Sequence, residues 1–337
     1  MNAKTIAFFN NKGGVGKTTL VYHLAWMFSE LGVRVIAVDL DPQSNLTSAL
    51  LEDDRIEELW GDDGESATIL GAVKPLIDRL GDVGPAHVEQ LENIGLVAGT
   101  LELNEFEDRL SQAWSACLDD NASNAADAFR VMSGFYRVIQ RAAADFEAPL
   151  ALIDVGPNLG AINRAALVAA DEVVVPLAPD LFSLRGLKNL GPKLREWSEG
   201  WQNRVRRGKV PKGLTLPGGL MRPLGYVVLQ HSVRSDQPLK AFQRWLDRIP
   251  EVYRMAIGNR PARPARLARD PEMLGSLKNY RSLMPLAHEA RKPVFKLTPA
   301  DGALGATATA ARESFHDFEA LARTIAQRIG LPLADRE

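Results

Sequence analysis

Hydrophobic and polar positions follow two rhythms along the first forty residues. Thr5–Phe9 is a short apolar run that stops at Asn10-Asn11, the pattern of a strand buried on both faces. From Lys17 to Leu31, residues Leu20, Leu24, Met27, Phe28 and Leu31 fall at helical spacing, and Gly32 closes the helix. Val33–Leu40 is again β-branched and apolar. Strand, glycine loop, helix and strand make a βαβ unit with a right-handed crossover. The alternation continues: Ile94–Ala98, Leu150–Ile153, Val173–Leu177 and Leu224–Gln230 read as strands. Asn104–Leu118, Ala125–Phe146, Ala161–Ala170, Leu187–Trp197, Leu239–Ile249 and Phe315–Ile329 read as helices. This order predicts an α/β fold, a mostly parallel twisted sheet with helices on both faces. Residues 52–93 are acidic and poorly patterned. About 198–222 and 250–283 are rich in Arg, Lys, Pro and Gly and read as insertions or long surface loops. With a further insertion expected at about 109–147, the chain reads as one domain over 1–337.

Composition narrows the classes. The 337 residues, 46% hydrophobic, supply ample material for a core. The formal net charge of −2 means that any nucleic-acid contact must come from a local patch. The single cysteine, Cys117, cannot form an internal disulfide or a cluster of cysteine ligands, and reads as small core filler. The N-terminal apolar run is too short for a signal-peptide core, and no apolar stretch approaches the roughly 18 residues of a membrane span. A soluble cytoplasmic protein is the expectation.

The candidate chemistry lies in Lys12-Gly13-Gly14-Val15-Gly16-Lys17-Thr18-Thr19, between the first strand and the first helix. Glycines there let backbone N–H groups converge on phosphate oxygens, and the helix adds its positive N-terminal dipole. Lys17 is placed to reach β- and γ-phosphates, and Thr18 to offer a hydroxyl to Mg²⁺. ATP with Mg²⁺ is therefore the expected ligand. The strict G-x-x-x-x-G-K-[ST] pattern is not met, because Asn11 stands at its first glycine; a second lysine, Lys12, sits at the loop entrance. Three aspartates end strands: Asp39 and Asp41 in Asp-Leu-Asp-Pro-Gln, and Asp154 in Leu-Ile-Asp-Val-Gly-Pro. Alone, each could be a helix cap or turn residue. Behind a phosphate loop, carboxylates at strand ends suit a magnesium site.

These segments resemble the deviant Walker A ATPases of the ParA/MinD class, with the closer likeness to the ParA branch. Further agreement lies in Ala170-Asp171-Glu172 through Leu177, in Ser183-Leu184-Arg185-Gly186-Leu187 and in Lys292-Pro293-Val294. The resemblance implies a P-loop NTPase fold and a slow, partner-stimulated ATPase that closes as a homodimer around ATP. It gives Lys12 the role of a signature lysine reaching the partner's phosphates, and Asp41 that of orienting water. It places Asp39 and Asp154 around Mg²⁺. Gly156-Pro157 departs from the paired prolines frequent in the family.

The resemblance further implies nonspecific DNA binding by the ATP dimer, an activating ParB-like or other protein, and a cargo that is plasmid, chromosome or protein assembly. Nucleoid association would follow. Two basic runs qualify: Arg204 to Lys212, and Arg254 to Arg269 without an acidic residue between them. Candidate contacts are Arg206, Arg207, Lys209, Arg234, Arg263, Arg266 and Arg281. The same runs also fit a solvated loop, or pairing with the acidic 52–65 stretch. Two other readings stay open: an ATP-dependent regulator or scaffold acting on a protein without DNA transport, and a small-molecule kinase or ligase. His23, His87, His231, His288 and His316 are scattered, which disfavours the last. The Gly330–Glu337 tail, with Pro332 and acids, is unlike a membrane-binding helix. With eleven residues before Lys12, an N-terminal operator-binding domain is not expected.

Overall fold

The first strand, β1 (Lys4–Phe8), is apolar and buried from Thr5 onward because it lies inside a sheet covered on both faces. The computed structural model describes residues 2–61, 64–229, 239–262, 266–278, 280 and 283–333. Seven further strands follow: β2 (Val35–Asp39), β3 (Glu89–Leu91), β4 (Ile94–Val97), β5 (Leu150–Asp154), β6 (Glu172–Leu177), β7 (Arg222–Leu229) and β8 (Met273–Leu277). They form one sheet in the order β3-β4-β2-β5-β1-β6-β7-β8, parallel except for the β3–β4 edge pair. The α/β expectation holds.

The helices sort by face. On one face lie α1 (Lys17–Glu30), α2 (Asn45–Leu50) and α3 (Asp53–Trp60). Across the sheet lie α4 (Ile69–Ile77), α5 (Phe106–Ala116), α6 (Ala122–Met132), α7 (Gly134–Asp145), α8 (Ala161–Val168), α9 (Leu181–Arg207) and α10 (Leu239–Ala256). Then α11 (Leu283–Glu289) and α12 (Ala306–Ile329) return to the first face. The chain thus leaves β1 toward one face and β5 toward the other. A crevice opens at the carboxyl ends of these two neighbouring strands.

Several elements differ from the sequence reading. The expected helix over 125–146 is two helices, broken at Ser133, whose hydroxyl donates to the Phe129 carbonyl at 2.7 Å. The acidic 52–93 stretch contains α3, α4 and β3. The stretch 250–283 is not a surface loop throughout: it ends α10 and contributes β8 to the sheet. α9 begins six residues earlier and ends ten later than expected, so the basic run from Arg204 begins inside a helix. Its start is fixed by Asp180, whose Oδ1 accepts the Ser183 N–H at 2.8 Å. α12 buries Phe318, Leu321, Ala322, Ile325 and Ile329, as expected of a packing helix.

Candidate nucleotide-binding cleft

Beyond β1 the chain makes the Asn10–Gly16 loop at the crevice. Gly14 and Gly16 adopt φ of 70° and 88°, values that a side chain disfavours. Gly16 is the last residue before α1, so the backbone N–H groups of the first turn face the cleft without a side-chain cap. Asn10, buried, anchors the loop: its amide donates to the Pro176 carbonyl at 2.7 Å and its Oδ1 accepts the Lys12 N–H at 3.0 Å. Gly13, Gly14 and Thr19 are exposed, Val15 is buried beneath them, and Thr18 is half-buried.

Lys17 folds back over the loop, its Nζ 3.2 Å from the Asn10 carbonyl oxygen. Burial lowers its pKa, against the opposing pull of Asp154 and Asp41. Asp39 and Asp154 are register partners on β2 and β5 and are fully buried. Burial pushes both carboxyls up; Asp41 raises both further, and Asp39 also raises Asp154. They differ in what holds them. Asp39 Oδ2 accepts both the N–H and the hydroxyl of Thr47 at 2.8 Å, so it anchors the turn leading into α2. Asp154 faces Thr18, yet neither of its carboxylate oxygens meets a hydrogen-bond donor at ordinary distance. Asp41 Oδ1 accepts the Gln43 N–H at 3.0 Å and lines the cleft.

These groups open into a cleft of about 700 Å³. The glycine loop and α1 line it, together with Gln43, Asn45, Asp53, His288, Arg291 and Lys292, and Arg291 pairs with Asp53 at 2.5 Å. A smaller, mostly apolar pocket of about 210 Å³ adjoins it, lined by Gly16, Thr19, Leu20, Leu229, Tyr280 and Phe318 among others. His23 borders both. Its Nδ1 is 2.7 Å from the Thr19 carbonyl and its Nε2 accepts the Val294 N–H at 3.2 Å, while the ring stacks on Phe318 at 4.8 Å. Burial lowers its pKa to about 4, so it is neutral at pH 7. The walls and His23 were not legible as site residues, because they come together only in the fold.

Lys12 stands outside this group. Its ammonium pairs with Asp180, the residue that caps α9, and lies 6.0 Å from the exposed Phe182 ring. The donor set suits a hard cation: a threonine hydroxyl and an unpartnered buried carboxylate beside a phosphate loop. Among the described residues, no cluster of three or more His, Cys, Asp or Glu is arranged to hold a metal ion by itself. That matches Mg²⁺, which binds through one or two carboxylates together with substrate phosphates and water.

A family model described as an AAA domain matches residues 3–206. The chain belongs to this AAA-domain family. Within the family it is a ParA-type member. It is 30% identical over 203 residues to the chromosome-partitioning ATPase Soj of Thermus thermophilus, covering 60% of this chain and 66% of that one. It is 30% identical over 191 residues to the chromosome partitioning protein ParA of Myxococcus xanthus, covering 56% of each. The chain spans about half the length of the curated relatives it matches. Among solved structures, protein DIP2308 of Corynebacterium diphtheriae superposes with a TM-score of 0.67 at 23% identity, covering 97% of this chain and 98% of that one. The ATP complex of a Cyanothece McdA variant gives 0.58 at 17%, covering 99% of each. Both support the AAA-domain fold, with its P-loop NTPase sheet.

The basic runs lie elsewhere in this AAA-domain chain. α9 starts beside Lys12 and runs 27 residues, about 40 Å, back toward the amino-terminal ends of the strands. Arg206, Arg207 and Lys209 are exposed there, and Arg266, exposed, precedes the amino-terminal end of β8. Lys209 donates to the Asp120 carbonyl. Arg204 is not a free surface cation: its guanidinium stacks on Trp114 at 3.8 Å from the ring centroid. Arg234, Arg263 and Arg281 lie outside the described residues. The acidic 52–65 stretch pairs with Arg55 and Arg291, which belong to neither basic run. No helix among the described residues is long and apolar enough to cross a membrane.

Proposed function

We propose that this chain is an ATPase that binds ATP with Mg²⁺ in the cleft, closes as a homodimer, and uses hydrolysis to release nonspecific DNA. The observation that carries the reading is the convergence of Lys17, Thr18 and an unpartnered, buried Asp154 on a loop with two positive-φ glycines. A buried carboxylate left without donors is costly unless a cation completes it.

In this reading the loop N–H groups and Lys17 hold the phosphates, and the purine occupies the adjoining apolar pocket against α1. Thr18 and Asp154, with Asp39 behind them, hold Mg²⁺, which when bound neutralises charge on the phosphate oxygens. Asp41 orients the attacking water. Lys12 exchanges Asp180 for the partner chain's phosphates, adding a second positive clamp on the transferring group. In this reading a ParB-like or other activating protein stimulates hydrolysis, and the cargo is a plasmid, a chromosome or a protein assembly; the chromosome-partitioning relatives support a segregation role. Localisation would be cytoplasmic and nucleoid-associated.

Retention on random-sequence DNA with ATP, ADP or no nucleotide, at two salt concentrations, tests the reading. ATP-dependent retention that weakens with salt is expected. Retention independent of ATP, or absent at low salt, would overturn DNA transport and favour the regulator or scaffold acting on a protein.

A further inference from the structure

The Asp154 strand runs into a six-residue loop, 155–160, before α8. Gly156 in this loop lies so close to Asp41 that a Cβ built on it would stand 3.2 Å from Asp41 Oδ1. Pro157 approaches Gly13 and lines the cleft. The loop is tied from behind by two side chains. The Asn163 amide, on α8 and 1% exposed, donates to the Gly156 carbonyl at 2.9 Å, the Asn158 carbonyl at 2.8 Å and Asn158 Oδ1 at 3.0 Å. Glu107 reaches over from α5. Its two oxygens accept the Ala161 and Ile162 N–H groups at 2.6 and 2.8 Å. Gly160 has no room for a side chain there: its Cβ would stand 2.7 Å from Glu107 Oε1.

We infer that Asn163 and Glu107 are positioning residues that hold the 155–160 loop against Asp41 and Gly13 and thereby set the geometry of water attack. The physical reason is the match of donors to acceptors. Asn163 supplies an uncharged amide whose two N–H donors face three converging oxygens. Glu107 supplies two acceptors to two N–H groups that begin a helix and lack intrahelical partners. Neither side chain touches the cleft, so their action passes through the loop. The consequence for hydrolysis rests on the ATPase reading above; the tether itself does not.

Asn163→Asp keeps the size of the side chain and replaces the donor with an acceptor facing three oxygens. Glu107→Gln replaces one acceptor with a donor facing an N–H. Amide hydrogen exchange of the nucleotide-free chain reads the tether directly. Exchange at residues 156–162 is expected to rise about tenfold or more in either variant, with the β1 and β5 amides unchanged. With Mg²⁺ and ATP, kcat is expected to fall about tenfold to a hundredfold while KM for ATP stays within about threefold. Unaltered exchange in both variants overturns the inference, as does a rise in KM with kcat preserved. A parent chain that binds ATP but never hydrolyses it would overturn the ATPase reading, and the exchange comparison would still decide the tether. Should Asn163→Asp fail to fold, Glu107→Gln gives the same two readouts.

Discussion

Asp154 carries the clearest electrostatic cost in the chain. Burial raises its pKa, so the folded state holds its proton more tightly than the unfolded state does. Without Mg²⁺ and nucleotide, this side chain therefore lowers stability as pH rises past the ordinary carboxylate value of about 4 and on through neutrality. Asp154→Asn is expected to melt higher than the parent near pH 7.5, by about 3 °C or more, and the gap should shrink toward pH 4. Parallel melting curves at every pH would contradict this account of the site. At this scale the loop was readable because glycine, lysine and threonine act within a few residues of each other. The second layer was not. Lys12 meets Asp180 across 168 positions of sequence, and Glu107 meets Ala161 across 54. No local spacing encodes such pairs.

Helix α9 runs from the cleft toward the amino-terminal ends of the strands, and it was the element least readable in advance. Gly186, Gly191 and Pro192 are poor helix formers, so propensity placed its start too late. Packing outweighs propensity here. A Cβ on Gly191 would stand 1.8 Å from the Ala256 carbonyl oxygen at the end of α10, so the glycine lets the two helices touch. Gly191→Ala should therefore destabilise the chain by about 1–3 kcal/mol despite its better helix propensity, read as a lower urea midpoint with an unchanged m-value. A stabilised variant would show that the helices part without cost. The split at Ser133 rests on a local bond to the Phe129 carbonyl that apolar rhythm does not register. The strand β8 within 250–283 is decided by its pairing with the distant β7.

At the scale of the whole molecule, the phosphate loop, Asp41 and the 155–160 loop follow the carboxyl ends of the central strands β1, β2 and β5, and Arg206, Arg207 and Arg266 lie toward the amino-terminal ends. The parallel sheet was legible because strands and helices alternate, whereas its order was not, since β5 enters between β1 and β2 from 110 residues downstream. If the amino-terminal end of the sheet holds DNA, replacing Arg206 and Arg207 together by glutamate should weaken ATP-dependent retention equally on unrelated sequences. It should also flatten the salt slope by about 2. A variant with the parent's slope would place the DNA surface elsewhere. At the carboxyl ends, the proposed ATPase shares ATP between two chains through Lys12. The mass of Asp41→Ala in solution with Mg²⁺ and ATP, by light scattering, beside the same chain carrying Lys12→Ala as well, reads this sharing. Twice the 36.9 kDa chain mass is expected for Asp41→Ala, and a single chain mass for the double variant with its nucleotide still bound. A single-chain mass for Asp41→Ala at saturating ATP, or an undiminished dimer without Lys12, would contradict it.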